Sequence, residues 1–244
     1  MNEHRDLEGL SALVTGATSG IGRAAAEHLA RNGAELIVHG RDAARGSTVA
    51  DTITADGGKA HFVAADLSDP SQLDDLVQQV GPVDVLVNNA GFSWFGPTAD
   101  LDMATFDRLF AANVRAVYFL VAALAPKMTA KGSGSVISTA SMAGQIGLAG
   151  AAAYSATKAS LVAMTRSWAA EFSPAGVRVN AVAAGPVLTA GAAPDRIEAL
   201  GATTLLSRAA QPSEIAEVIT FLASPRASYV TGAVFAADGG RTAI

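Results

Sequence analysis

Short aliphatic or β-branched runs, each followed by an Ala-rich stretch with helical spacing, recur along this chain and limit the folds open to it. The first three pairs are Leu10 to Thr15 with Ile21 to Asn32, Glu35 to Val38 with Ala43 to Ala55, and His61 to Ala64 with Ser71 to Val80. The alternation goes on through Val83 to Asn88, a long helix near Met103 to Met128, Ser135 to Thr139, a helix near Tyr154 to Phe172, Val177 to Ala181, Ser213 to Leu222 and Ala233 to Phe235. That makes seven candidate strands. Several, such as Val83 to Val87, are apolar on both faces, which points to a parallel sheet covered by helices on each side. An eight-unit barrel needs one more strand and has no reason to place a glycine cluster after its first. A doubly wound sheet binds a dinucleotide at that turn. The expected fold class is therefore α/β, a doubly wound, mainly parallel seven-stranded sheet. Helix punctuation agrees: Asn32-Gly33 closes the first helix, Pro70 stands near the start of another, and Pro212-Ser213 opens the last.

The 244 residues show no fixed repeat and no linker rich in Pro, Gly and Ser, so residues 1–244 are expected to form a single domain. Half the residues are hydrophobic and only 16% are charged, the reverse of a disordered chain. The absence of cysteine excludes disulfides, thiolate zinc sites and cysteine nucleophiles, and favours a cytoplasmic location. Met1 to Leu10 has no apolar core, and the longest apolar run, near Ala116 to Ala125, is cut by Pro126 and Lys127, so neither a signal peptide nor a membrane span is expected. A formal net charge of −5, with Lys and Arg scattered, leaves no basic field for nucleic acid. His4, His28, His39 and His61 lack ligand spacing, and no metal site is expected.

Directly after the first strand stands Thr15-Gly16-Ala17-Thr18-Ser19-Gly20-Ile21-Gly22. Its three glycines lack a Cβ, so backbone N–H groups can approach an anion. The positive end of the following helix favours a pyrophosphate, and Thr18 and Ser19 add hydroxyl donors. The spacing is G-x-x-x-G-x-G rather than the ordinary dinucleotide G-x-G-x-x-G. The second strand runs out in His39-Gly40-Arg41-Asp42. An acidic residue there accepts hydrogen bonds from a ribose 2′-OH, whereas an arginine pairs with a 2′-phosphate. Gly40 stands where the carboxylate is expected and Arg41 follows, so NADP(H) is favoured over NAD(H). Asp42 either turns toward a ribose hydroxyl or caps the next helix, the cap being the plainer reading. Asp66-Leu67, past the third strand, is placed to meet an adenine, with Asp66 accepting from its amino group, or is simply a loop.

Tyr154 and Lys158 lie four apart at the start of a helix, which puts both on one face. A phenol is a poor acid or base at neutral pH, and a neighbouring ammonium stabilises its phenolate and shifts it downward. It then serves as general acid in carbonyl reduction and general base in alcohol oxidation. Ser141 stands after the fifth strand, thirteen positions before Tyr154, where such sheets hold ligands, and either donates to a substrate oxygen or satisfies loop backbone.

With Thr15 to Gly22, Asn88-Asn89-Ala90-Gly91 after the fourth strand, the Ser141, Tyr154 and Lys158 set, and Asp238-Gly239-Gly240 near the end, nearly the whole chain resembles the short-chain dehydrogenase/reductase family. It looks most like the 3-oxoacyl-carrier-protein-reductase-like members, which have chains of this length. The resemblance implies a Rossmann fold and an oxidoreductase that moves hydride between a nicotinamide cofactor and a small carbonyl or secondary alcohol. In the family the tyrosine protonates or deprotonates the reacting oxygen, the lysine lowers its pKa and holds the nicotinamide ribose, and the serine orients the carbonyl. Tyr154, Lys158 and Ser141 match these. Asn113 matches a helix asparagine that holds a water in a proton relay; without the family it would be a polar residue bonded locally or facing solvent. Asn89, Ala90 and Gly91 would pack against the adenosine side, and Val187 and Thr189 match contacts to the carboxamide and phosphates.

Leu188 to Leu206, with Gly191, Pro194, Gly201 and a helical piece around Asp195 to Leu200, stands where the family has its substrate lid. Being short and Ala-rich, it favours a compact substrate. Phe92, Trp94 and Phe95 either line the cleft or cover the core. The helices at Met103 to Met128 and Tyr154 to Phe172 match the family's subunit interface, and a homotetramer is expected. Two departures stand out: Ala184-Gly185-Pro186 replaces the usual Pro-Gly, and Ala175 stands where carrier-protein readers place basic residues. Two other functions compete: a nucleotide-sensing regulator on the same fold, and a carrier-bound 3-oxoacyl reductase.

Overall fold

The computed structural model describes residues 5–191 and 193–244. Seven parallel strands form one sheet in the order β3-β2-β1-β4-β5-β6-β7. They are β1 (Ser11–Val14), β2 (Glu35–Gly40), β3 (Lys59–Ala64), β4 (Val85–Asn88), β5 (Gly134–Ser141), β6 (Val177–Ala184) and β7 (Val234–Ala237). The helices are α1 (Gly20–Arg31), α2 (Ala43–Ala55), α3 (Pro70–Val80), α4 (Met103–Phe110), α5 (Ala116–Lys131), α6 (Ala152–Phe172), α7 (Pro194–Gly201) and α8 (Pro212–Ala223).

Alternation along the strands feeds two cores. Leu13, Leu86 and Val136 face one side, against Leu76 of α3, Leu120 and Leu124 of α5 and Leu161 of α6. Val14, Val87 and Ile137 face the other, against Leu29 of α1, Ile53 of α2 and Ile219 of α8. Helices therefore cover both faces, as the doubly apolar strands require. The strand order reverses between β1 and β4, and the crevice outside the carboxyl ends of strands at such a reversal is where doubly wound sheets take ligands.

Besides shifts of one to three residues at other element ends, the structure departs from the sequence pattern most clearly at β4, at the ends of β5 and β6, and in the long helix. β4 begins at Val85 rather than Val83, and just ahead of it the Asp84 carboxylate accepts the Ser11 N–H and hydroxyl and pairs with Lys131. β5 and β6 continue through Ser141 and Ala184, paired in register, although the run of Ser138, Thr139 and Ser141 reads as a strand ending. The long helix divides at a π turn, Ala111–Arg115, between α4 and α5. Met103–Lys131 taken together spans 29 residues, and an 18-residue stretch within it has mean hydropathy 1.6, so it is long and apolar enough to cross a membrane, since Pro126 does not interrupt α5. Its Val117, Leu120, Val121, Leu124 and Met128 lie in the protein core.

Candidate active site

The crevice is built where two loops interlock. The Thr15 hydroxyl accepts the N–H groups of Asn89 and Ala90, each at 3.0 Å, and donates to the Val87 carbonyl. The Asn89 amide donates back to the carbonyls of Thr15 and Gly16, at 3.0 and 3.3 Å. The loops are this close only because Gly22 has no side chain, since a Cβ there would lie 2.3 Å from the Gly16 carbonyl oxygen. Asn89, Ala90, Gly16 and Gly22 are thus brought together.

Asp42, Asp69 and Asp102 cap α2, α3 and α4, accepting from the N–H groups of Arg45, Ser71 and Thr105. Ser19, at the head of α1, makes no side-chain cap, and the first turn of α1 holds no acid. Its N–H groups stay available beside the bare glycine turn, an arrangement that fits an anion such as a pyrophosphate. Thr189 lies over the same turn, with its methyl 3.1 Å from where a Cβ on Gly20 would stand.

His39 ties this cradle to the third strand. Its Nδ1 accepts the Gly16 N–H at 3.3 Å, its Nε2 donates to the Ala65 carbonyl at 3.1 Å, and its own carbonyl accepts from Ala17 at 2.8 Å. Burial pushes the imidazole down to about 4, so it is neutral at pH 7, as the acceptor role of Nδ1 requires. Sequence reasoning weighed His39 only as a metal ligand. The available signal was a polar residue closing an otherwise apolar strand next to the glycine turn.

At the end of β2, Asp42 is occupied as the helix cap, its carboxylate held by the N–H and guanidinium of Arg45. Arg41 is 78% exposed, with its nearest carboxylate, Asp66, at 4.0 Å. One Asp66 oxygen accepts the N–H and hydroxyl of Ser68, and the Ser68 N–H is the main reason the carboxyl sits below its usual range. A Cβ on Gly40 would fall 2.4 Å from the Thr18 methyl, so Gly40 both withholds a carboxylate and makes room for Thr18. Leu67 is buried in the core, which leaves only its backbone to meet a ligand. The Val187 side chain is buried too, and its backbone is bridged to Ala210. Ile21 packs partly against the core under α1.

Across the crevice, α6 carries Tyr154 and Lys158. The Lys158 ammonium donates to the Thr139 carbonyl at 2.8 Å and stands 5.8 Å from the centroid of the Tyr154 ring. Burial pulls Lys158 down to about 8. Burial also raises the Tyr154 phenol, and the Ser141 hydroxyl pulls it partly back. The downward shift anticipated from the ammonium does not prevail in this arrangement, because Lys158 is turned to Thr139 and desolvation dominates the phenol. The Ser141 hydroxyl also accepts the Ala143 N–H at 3.2 Å.

Asn113 sits in the π turn, buried, and its amide is neither locally bonded nor solvent-facing. It accepts the Phe92 N–H at 3.0 Å and donates to the Phe92 carbonyl at 2.8 Å and the Thr157 hydroxyl at 3.2 Å. Thr157 in turn donates to the Tyr154 carbonyl at 2.7 Å. Asn113 thus fastens the loop after β4 to the head of α6, without touching Lys158. Of the three aromatics in that loop, Phe95 is the one at the phenol, its ring 5.4 Å from Tyr154 and tilted by 54°. Arg196, from α7, stacks its guanidinium carbon 3.5 Å from the Phe95 centroid.

The model of a family described as "Enoyl-(Acyl carrier protein) reductase" matches residues 16–242. A curated relative, cis-4-hydroxycyclohexanecarboxylate dehydrogenase of Sinomonas cyclohexanicum, is 38% identical, with 96% of each chain covered. A solved "short chain dehydrogenase/reductase family protein" is 49% identical with a TM-score of 0.91, covering 98% of this chain and all of that one. Another, described as an NAD(P)-dependent gluconate 5-dehydrogenase from Beutenbergia cavernae with NADP bound at low occupancy, is 38% identical with a TM-score of 0.94, covering 99% of this chain and all of that one.

Proposed function

The chain belongs to the short-chain dehydrogenase/reductase family, an oxidoreductase acting on CH–OH or C=O groups, and we propose that it moves hydride between NADP(H) and a compact secondary alcohol or ketone. The observation that carries this reading is the Tyr154 phenol, set against the Ser141 hydroxyl one helical turn from Lys158, across the crevice from an uncapped, glycine-lined helix start.

The nicotinamide, when bound, supplies or accepts the hydride. Tyr154 is the general acid and base. Its raised phenol is protonated at neutral pH, the form that gives a proton to a carbonyl oxygen during reduction; in oxidation the phenolate takes the alcohol proton. Ser141 donates to the same substrate oxygen. Lys158, buried and mostly charged at pH 7, stabilises the phenolate once the proton has left and holds the nicotinamide ribose. Asn113 keeps the Phe92 loop against α6, and its part in a proton relay with Lys158 rests on the family resemblance alone. Gly16, Thr18, Ser19, Gly20, Ile21 and Gly22 hold the pyrophosphate. Arg41 meets the 2′-phosphate, Asp66 and the Leu67 backbone meet the adenine, Asn89, Ala90 and Gly91 line the adenosine side, and Val187 and Thr189 meet the nicotinamide half. A Cβ-free turn, a helix with no cap and a guanidinium beside Gly40 support the fit.

The short lid at 188–206, within one nucleotide-binding domain, supports a compact substrate, and the Sinomonas relative supports an alicyclic one. A carrier-bound 3-oxoacyl group is the second reading. It is favoured by the family model's description and disfavoured by Ala175 in place of a basic residue. Exposed Phe106, Tyr118 and Phe119 on α4 and α5 support a homotetramer, which a stable monomer in sedimentation at micromolar concentration would refute. The lack of cysteine supports a cytoplasmic location.

The test is calorimetric titration with NADPH and NADH, on the wild type and on Arg41→Ala, followed by turnover of alicyclic ketones. NADPH should bind tighter, the preference should shrink in Arg41→Ala, and Tyr154→Phe should bind NADPH normally while losing turnover. A preference for NADH refutes the role of Arg41, and binding of neither nucleotide refutes the hydride-transfer reading.

A further inference from the structure

The lid carries a charged group that hydride transfer does not use. Arg196 lies in the first turn of α7, its guanidinium carbon 3.5 Å from the Phe95 centroid, and Phe95 lies 5.4 Å from the Tyr154 ring. Arg196 thus lies on Phe95, and Phe95 lies tilted against the Tyr154 ring. The guanidinium therefore stands no farther from Tyr154 than those two spacings laid end to end. Gly96, next to Phe95, donates its N–H to the Gly150 carbonyl at 2.9 Å, just ahead of α6, which ties the Phe95 loop to the helix that carries Tyr154.

Arg45, Arg208 and Arg226 each pair with a carboxylate within 2.8 Å, but among the described residues Arg196 pairs with none. Asp195 and Glu198 are its neighbours one and two places along α7, and residues so spaced do not face each other on a helix. Stacking consumes one face of the guanidinium, and among the described residues the N–H groups at its edge have no hydrogen-bond partner, in the planar fork that matches a carboxylate. A chain with net charge −5 repels an anion at long range, so holding one near Tyr154 needs a local cation of this kind.

We propose that Arg196 is a specificity-determining residue that binds a carboxylate on the substrate, which makes the substrate class a compact hydroxy or oxo acid with its carboxylate a ring's width from the reacting carbon. The proposal rests on Tyr154 marking the reacting oxygen. The experiment has two arms, each run on the wild type, Arg196→Gln and Arg196→Lys loaded with nicotinamide cofactor. In the first, calorimetry compares cyclohexanecarboxylate with the uncharged cyclohexanecarboxamide. In the second, kcat and KM are measured for 4-oxocyclohexanecarboxylate and for cyclohexanone. The wild type should bind the carboxylate at least tenfold tighter than the amide. Arg196→Gln should erase that preference and raise KM for the oxo acid at least tenfold with little change for cyclohexanone, and Arg196→Lys should recover part of both. An Arg196 that only latches the lid would alter both ketones equally, and that result overturns the proposal. So does the absence of a carboxylate preference in the wild type, including no binding at all. A carboxylate preference that depends on Arg196, with neither ketone turned over, upholds this site and refutes the hydride-transfer reading instead.

Discussion

Neutralising the acid response of His39 gives a measurable test of how the glycine turn before α1 is held. The folded protein keeps this imidazole neutral down to about pH 4, whereas the unfolded chain takes a proton near the ordinary 6.5. Stability from this group is therefore complete above pH 6.5 and is lost as pH falls toward 4, where the unfolded state binds a proton that the folded state refuses. Each pH unit in that window is worth about 1.4 kcal/mol, so His39 alone removes about 2 kcal/mol between pH 7 and 5 and about 3 kcal/mol by pH 4. The side chain is 2% exposed, so solvent screening takes little from this figure. His39→Gln removes the titration while leaving an amide oxygen that can accept the Gly16 N–H. The assay is urea unfolding at fixed protomer concentration, followed by the fluorescence of Trp94 and Trp168, at pH 7, 6 and 5. Acid losses from carboxylates are common to both proteins and cancel in their difference. The wild type should be the more stable at pH 7, and its advantage should shrink by about 2 kcal/mol at pH 5. A difference that does not change with pH would refute the neutral, doubly bonded imidazole.

Lys158→Met should abolish turnover yet stabilise the nucleotide-free protein at pH 7. Burial lowers the ammonium from 10.5 to about 8, a cost of about 3 kcal/mol, while the Thr139 carbonyl left without its donor returns part of it, for a net gain of about 1 to 2 kcal/mol. The gap should narrow as pH rises from 8 toward 10.5, read as the difference in thermal midpoints at pH 7 and 9.5. Asn113→Ala should cost about 2 to 4 kcal/mol, because it strands the Phe92 N–H and carbonyl, and should lower kcat more than it raises KM for nucleotide. Hydrogen exchange at Phe92 is the check, and an amide as protected as in the wild type would contradict the role given to Asn113.

Much of the architecture is legible in the sequence because the signals are local and periodic. Doubly apolar strands dictate a covered parallel sheet, a glycine turn marks β1, Asp42 caps α2, and the spacing of Tyr154 and Lys158 needs only one helical turn. The π turn is not legible, since one excess residue per turn leaves the apolar pattern of Met103 to Met128 looking unbroken. Leu67 is adjacent in sequence to a plausible adenine contact, but alternating burial sends its side chain to the core. His39 and the stack of Arg196 on Phe95 escape for a different reason: each depends on a partner supplied by another part of the chain. The phenol follows the same logic, because spacing places a lysine beside Tyr154 but does not reveal that Thr139 claims its ammonium.

The contact between Gly40 and Thr18 shapes how this enzyme could drift from one nicotinamide cofactor to the other. Introducing an aspartate at position 40, the obvious single step toward a ribose diol, puts a Cβ 2.4 Å from the Thr18 methyl, so the Thr18 side chain must shift within the turn proposed to seat the pyrophosphate. The intermediate would lose grip on both nucleotides before gaining preference for either. Replacing Thr18 by a smaller residue first opens the space while the glycine remains, so the order of substitutions matters. If Arg41 reads the 2′-phosphate as proposed, a lineage carrying threonine at this position would be held to its cofactor by sterics as well as by charge.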